Sequence, residues 1–176
     1  YGFIFNKPML GKEHYEKALR SEERVTDRER LYIRATYARD LGHVEEATED
    51  YNVYLSIYPD DAVARFSFAT MLMLNQRLET AVEEFKEVIR TAPSYAAAYV
   101  NLATSYQQLD RSEEALPYYA KAFELERSFL TAATVNHEYA FTLAAAGDPS
   151  RAKEVLQLVI AKPDLRSSGL RSMALL

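Results

Sequence analysis

The chain has 176 residues, of which 48% are apolar and 27% charged, and a formal net charge of −5 at pH 7. That is a globular composition, and its acidic balance argues against a nucleic-acid partner. The absence of cysteine excludes disulfides and thiolate metal sites, and no apolar run approaches the ~18 residues of a membrane-crossing helix, so no membrane insertion is expected.

Tyr1 to Asn6 reads as the end of a helix broken at Pro8, and a second helix is expected from about Met9 through Tyr15, Ala18 and Leu19. Thr26-Asp27-Arg28-Glu29 is a capping box. The threonine hydroxyl can accept from the backbone three residues on, and the glutamate can reach back. A helix with Leu31, Ala35 and Ala38 on one face follows and ends at Gly42. Its partner carries Ala47, Tyr51, Tyr54 and Leu55 and stops before Pro59.

The next pair begins near Ala62, turns at Asn75-Gln76 and ends before Pro93. The third begins near Ala96 and turns at Asp110-Arg111-Ser112. Ser112 is the expected N-cap, and Pro117 is expected at the edge of the first turn. In the fourth, Gly147-Asp148-Pro149 makes the turn, with Asp148 as N-cap and Pro149 at the first helical position. Its second helix carries Ala152, Leu156, Val159 and Ile160.

These pairs repeat. Phe68, Ala69, Leu72, Ala81, Phe85, Val88 and Ile89 are each followed 34 residues later by Leu102, Ala103, Tyr106, Ala115, Tyr119, Ala122 and Phe123. A fixed period of that length predicts stacked helix–turn–helix units. The fourth unit slips: Ala140 lies 37 residues after Ala103, with the extra residues near 130–132, where a longer helix or a changed angle between units is expected. Ala174 then lies 34 after Ala140. The expected organisation is a partial repeat at 1–25, full repeats at 28–61, 62–95, 96–129 and 133–166, and a further repeat cut short at 167–176. Both ends read as cut from a longer series.

The columns resemble the tetratricopeptide repeat (TPR). In each unit a small residue on the first helix meets one on the second twelve positions later: Ala35 with Ala47, Ala69 with Ala81, Ala103 with Ala115, Ala140 with Ala152. Helix axes that cross closely tolerate little more than a methyl group there. Tyr51, Phe85, Tyr119 and Leu156 then fill the space beyond. Arg34 and Arg65 depart from the pattern at places usually apolar, and Tyr54 and Val88 where alanine is usual. The segment from Val25 to Asp61 is also loosely similar to repeat segments of bacterial signalling proteins, including eukaryotic-like serine/threonine kinases.

The resemblance implies an all-α, right-handed α-solenoid of antiparallel helix pairs and a non-catalytic scaffold that binds a peptide or protein segment. In such arrays the first helices line a concave groove. By spacing, its lining is Tyr32, Thr36 and Arg39; Phe66, Thr70 and Met73; Val100, Thr104 and Gln107; and His137 and Phe141. Phe66 and Phe141 suit packing on the next unit equally well. Members of the family that clamp an acidic C-terminal tail use a lysine and two asparagines, then a lysine and an arginine from the following unit. One frame here gives Tyr32, Thr36, Ser67, Ala97 and Asn101. The next gives Phe66, Thr70, Asn101, Thr134 and Glu138, and neither contains a cation. A carboxylate clamp is therefore not expected.

No cofactor or metal is implied. His14, His43 and His137 are isolated from one another, and there is no glycine-rich phosphate loop or nucleophile motif. Acid pairs at Glu45-Glu46, Glu83-Glu84 and Glu113-Glu114 read as solvated partners of helix dipoles at the starts of outer helices. A second possibility is homo-oligomer formation through the ends of the array, where Leu170, Met173, Leu175 and Leu176 would form an apolar stripe.

Overall fold

A computed structural model of the chain describes Tyr15 and residues 26–126, 133–161 and 166–174. The first two helix pairs are α1 (Asp27–Asp40) with α2 (Val44–Ile57), and α3 (Ala62–Leu74) with α4 (Leu78–Thr91). They are followed by α5 (Ala96–Gln108) with α6 (Ser112–Leu125), α7 (Ala133–Ala145) with α8 (Pro149–Ile160), and α9 (Arg166–Met173), which packs on α8. Each helix packs on its partner, and each pair on the next, so the described residues form an all-α solenoid with no strand among them.

The crossing alanines are fully enclosed in all four pairs, and so are Tyr51, Phe85, Tyr119 and Leu156 beyond them. The sequence departures are also accommodated. Val88 is enclosed, and Tyr54 is buried with its hydroxyl donating to Asp61 Oδ2 (2.6 Å) and accepting from Arg28 Nε (3.0 Å). Arg34 reaches Asp50 (2.7 Å). Arg65 reaches Glu84 (2.6 Å), which occupies the same column one unit later.

The turn inside each pair has one geometry. Gly42, Gln76, Asp110 and Gly147 all adopt positive φ, at 77°, 60°, 58° and 88°. The next residue's N–H then reaches back five residues: His43 to the Ala38 carbonyl, Arg77 to Leu72, Arg111 to Tyr106 and Asp148 to Leu143, at 2.8–2.9 Å. This is the Schellman closure, and glycine adopts its left-handed residue at least cost.

The capping box forms, with Thr26 N–H donating to Glu29 Oε2 (2.8 Å) and Glu29 N–H to Thr26 Oγ1 (3.2 Å). Asp148 caps α8 by accepting from Arg151 N–H (3.0 Å), with Pro149 at the first helical position. Ser112 is not the cap of α6; it is the first helical residue, and Arg111 stands at the cap with no side-chain capping bond. His43 and Arg77 occupy the same position 34 residues apart, also without side-chain caps. The repeat register, and not local cap preference, sets where these helices begin. Pro117 consequently lies inside α6 and not at the edge of its first turn. Glu83 and Glu84 are likewise interior to α4, whose first-turn acid is Glu79.

Of the expected preceding unit, Tyr15 is helical; its ring meets Tyr37 (5.2 Å between centroids) and its hydroxyl donates to Asp40 Oδ2 (2.7 Å). The rest of 1–25 and the insertion near 130–132 lie outside the described residues. At the other end Leu170 is exposed, whereas Met173 packs on the core; Leu175 and Leu176 lie outside the described residues.

Candidate interaction face

Helix α3 defines the face. With about 3.6 residues per turn, Val63, Ser67, Thr70 and Leu74 fall in one narrow sector of its circumference, with Phe66 at the edge. Phe68, Ala69 and Leu72 fall on the other side and are enclosed. Val63 is 59% exposed and Leu74 65%. The open side of α3 therefore points away from α4, on the side where the first helices of successive pairs neighbour one another. The same columns continue on α5 as Ala97, Asn101, Thr104 and Gln108, each 34 residues on, and on α7 as Glu138, Phe141 and Ala145. On α1 they are Glu29, Ile33, Thr36 and Asp40.

Among the described residues a polar contact crosses each junction between neighbouring first helices on this side. Tyr32 Oη meets Ser67 Oγ (3.4 Å) from α1 to α3, and Asn101 Nδ2 donates to Thr70 Oγ1 (3.3 Å) from α5 to α3. Thr104 Oγ1 donates to Glu138 Oε2 (3.0 Å) from α5 to α7. Tyr119 rises from the outer helix α6 to the same place, its hydroxyl 3.2 Å from Thr104 Oγ1 and 3.4 Å from Glu138 Oε2. Burial pushes the Tyr119 phenol well above the usual tyrosine range, so it stays protonated and available as a donor.

The expected lining residues divide by burial. Thr36 is 7% exposed and its hydroxyl turns back to the carbonyls of Tyr32 (2.9 Å) and Ile33 (3.0 Å). Met73 and Val100 are each 9% exposed and belong to the core. These three support the face from beneath and leave little surface for a ligand. Tyr32 packs edge-on to Tyr51 (6.5 Å) and against Tyr54 (5.5 Å); Phe66 packs on Phe85 (5.8 Å) and on Tyr95 (4.8 Å) at the entry to the next unit. Thr70, Thr104, Gln107 and Phe141 are half-buried. His137 is half-buried too, with Nε2 enclosed and without a hydrogen-bond partner among the described residues.

Val63 and Leu74 were absent from the sequence-derived lining. Their signal is the spacing 63, 67, 70, 74, one continuous stripe at helical period, on which Leu74 and not Met73 is the outward residue.

Charge on the face is unevenly compensated. Arg39 is engaged by its neighbour Asp40 (2.7 Å) and by Tyr51 Oη (3.4 Å). Glu138 Oε2 receives hydroxyl hydrogen bonds, while Oε1 has no donor and the carboxylate no cation among the described residues. Where a tail-clamping array would present a cation, this chain presents that glutamate. His43 is exposed and lies 3.2 Å from Glu46, and His14 is outside the described residues. Among the described residues no cluster of three or more His, Asp or Glu side chains is arranged to hold a metal, and no helix is long and apolar enough to cross a membrane.

The profile of the tetratricopeptide repeat family matches residues 11–163. The chain belongs to this family. A TPR repeat-containing thioredoxin of Arabidopsis thaliana, TTL4, is 32% identical over 98 residues, which are 56% of this chain but 14% of that protein's length. The fold is shared with a crystal structure of MamA, with a TM-score of 0.74 at 17% identity over 96% of this chain and 99% of that one. It is shared also with YrrB, titled a TPR protein with an unusual peptide-binding site, with a TM-score of 0.72 at 17% identity over 96% of this chain and 82% of that one. As a tetratricopeptide repeat array, the chain is a protein-interaction scaffold.

Proposed function

We propose that this array holds a peptide or an extended protein segment on the inner face of its first helices, with α3 as the anchor. The observation that carries the reading is the exposure of Val63 (59%) and Leu74 (65%) on a face that also carries the hydroxyl and amide side chains of Ser67, Thr70, Asn101, Thr104 and Gln108. Apolar side chains left in water on an ordered helix gain by being covered. Hydroxyl and amide groups around them can hydrogen-bond a partner's main chain whatever its sequence. The peptide-binding site named for YrrB fits the same use of the fold.

The stripe from Val63 to Leu74 is about 16 Å long at a helical rise of about 1.5 Å per residue. Ser67, Thr70, Asn101, Thr104, Gln107 and Gln108 supply the polar surround, and Phe141 extends the apolar surface on α7.

The test is a double substitution, Val63→Gln with Leu74→Gln, which keeps helix-favouring residues at exposed sites. It should abolish partner capture while circular dichroism and the unfolding midpoint remain those of the parent. Undiminished capture by the folded variant would refute the inner-face reading.

A further inference from the structure

We propose that the segment bound on this face carries a lysine or arginine, seated on Glu138, about five or six residues from the apolar side chains that cover α3. The proposal rests on the inner face being the binding face and adds the chemical class of the partner.

Glu138 is the natural seat for a cation. Its column holds Ser67 on α3 and Asn101 on α5, both neutral, so the carboxylate is a local departure from the repeat. It is half-buried, with Oε2 fixed by Thr104 and Tyr119. Among the described residues Oε1 has no donor, and no Lys, Arg or His pairs with the carboxylate. A carboxylate already oriented by two hydroxyls loses little freedom when a cation arrives.

The rest of the face favours the same partner. The other ionised groups in its columns are Glu29 and Asp40, both on α1 and both acids, and Arg39 beside them is neutralised by Asp40. The chain as a whole carries −5. An acidic segment would meet repulsion at Glu138, and the columns of the face hold no lysine or arginine to offset it, so charge complementarity selects a basic one.

Geometry sets the spacing. Helix α5 touches both α3 and α7. Two interhelical steps of about 8–10 Å separate the α3 stripe from Glu138. At about 3.3 Å per extended residue, that distance is roughly five or six residues of a segment crossing the first helices. Its apolar residues lie over the α3 stripe, its middle over Asn101 and Thr104, and its cation at Oε1.

Three pools of fluorescent synthetic decapeptides test this with the full chain. All carry Leu, Val, Ile or Phe at positions 2 and 4; position 9 is Arg, Gln or Glu, and the remaining positions are randomised over Ala, Ser and Thr. The Arg pool should bind about tenfold more tightly than the Gln pool, with the Glu pool weakest. Glu138→Gln retains an acceptor for Thr104 and Tyr119. It should bring the Arg and Gln pools level, and Glu138→Lys should reverse the order. For the parent chain, the preference for Arg should shrink as salt is raised, a readout that needs no variant. Equal binding of the three pools, lost together in the Val63→Gln, Leu74→Gln variant, overturns the charge rule and leaves the inner-face reading standing. Binding by none of the pools overturns both.

Discussion

Replacing Gln76 by glycine should stabilise the array, and replacing Gly42 by alanine should destabilise it, although neither change touches the core. The two residues occupy equivalent turns at φ of 60° and 77°. A left-handed conformation costs an ordinary L-residue about 1–2 kcal/mol. Glycine avoids that but loses about 0.5–1 kcal/mol more in chain entropy on folding. The balance for Gln76→Gly is a gain of roughly 0.5–1 kcal/mol. At Gly42 and Gly147 a β-carbon would meet no atom within 4 Å, so alanine there carries the backbone cost alone, about 1 kcal/mol. Asp110→Gly should gain less than Gln76→Gly, because aspartate tolerates this conformation better. Urea unfolding of the four single variants reads the order directly, and order is the safer measure because repeat arrays can unfold stepwise. A neutral or destabilising Gln76→Gly, together with a neutral Gly42→Ala, would refute the reasoning.

Other consequences follow from the packing and the charges. Ala103→Phe, at a fully enclosed crossing, should cost about 1–3 kcal/mol or more by overpacking, and Tyr119→Ala about 3–5 kcal/mol by cavity formation; an unmoved unfolding midpoint for both would mean the register is wrong. Arg65 and Glu84 are mostly covered, at 13% and 22% side-chain exposure. Arg65→Leu alone should destabilise by on the order of 2 kcal/mol, and adding Glu84→Leu should recover most of it; additive losses in the double-mutant cycle would contradict the pairing. Burial opposes ionisation of Asp61, but hydrogen bonds from Tyr54, the Ala64 N–H and Arg28 outweigh it and hold the carboxyl below the usual aspartate range. A lowered folded value means stability that is full above the unfolded value of about 3.9 and is lost as pH falls through the folded one. Denaturant titrations between pH 5 and pH 2 should therefore show a loss in acid that is smaller in Asp61→Asn.

The architecture was legible because a solenoid writes each contact several times. The four alanine pairs and the four large residues beyond them recur at fixed spacing, and all eight alanines and four large residues are enclosed. The face was less legible for a physical reason. Position along a helix is known from spacing, but which residue of a pair such as Met73 and Leu74 turns outward depends on how one pair is rotated against the next. Met73 is core and Leu74 is solvent. Local rules failed in the same way at Ser112, a good N-cap by preference, because the register inherited from Arg77 starts the helix one residue earlier. The contacts from Thr70 to Asn101 and from Thr104 to Glu138 join residues 31 and 34 apart, and only the stacking of units brings them together.

The absence of cysteine permits a direct test of the binding face by single-site thiol labelling. Cysteine would be placed at Leu74 or Gln108 on the inner face, and at Val53 (48% exposed) or Leu158 (50% exposed) on the outer helices. Maleimide labelling rates are then compared with and without a partner captured by the parent chain. A partner held on the inner face slows labelling at Leu74→Cys and Gln108→Cys and leaves Val53→Cys and Leu158→Cys unchanged. Protection of the two outer sites, with the inner two reacting as in the free chain, would place the partner elsewhere and contradict inner-face binding.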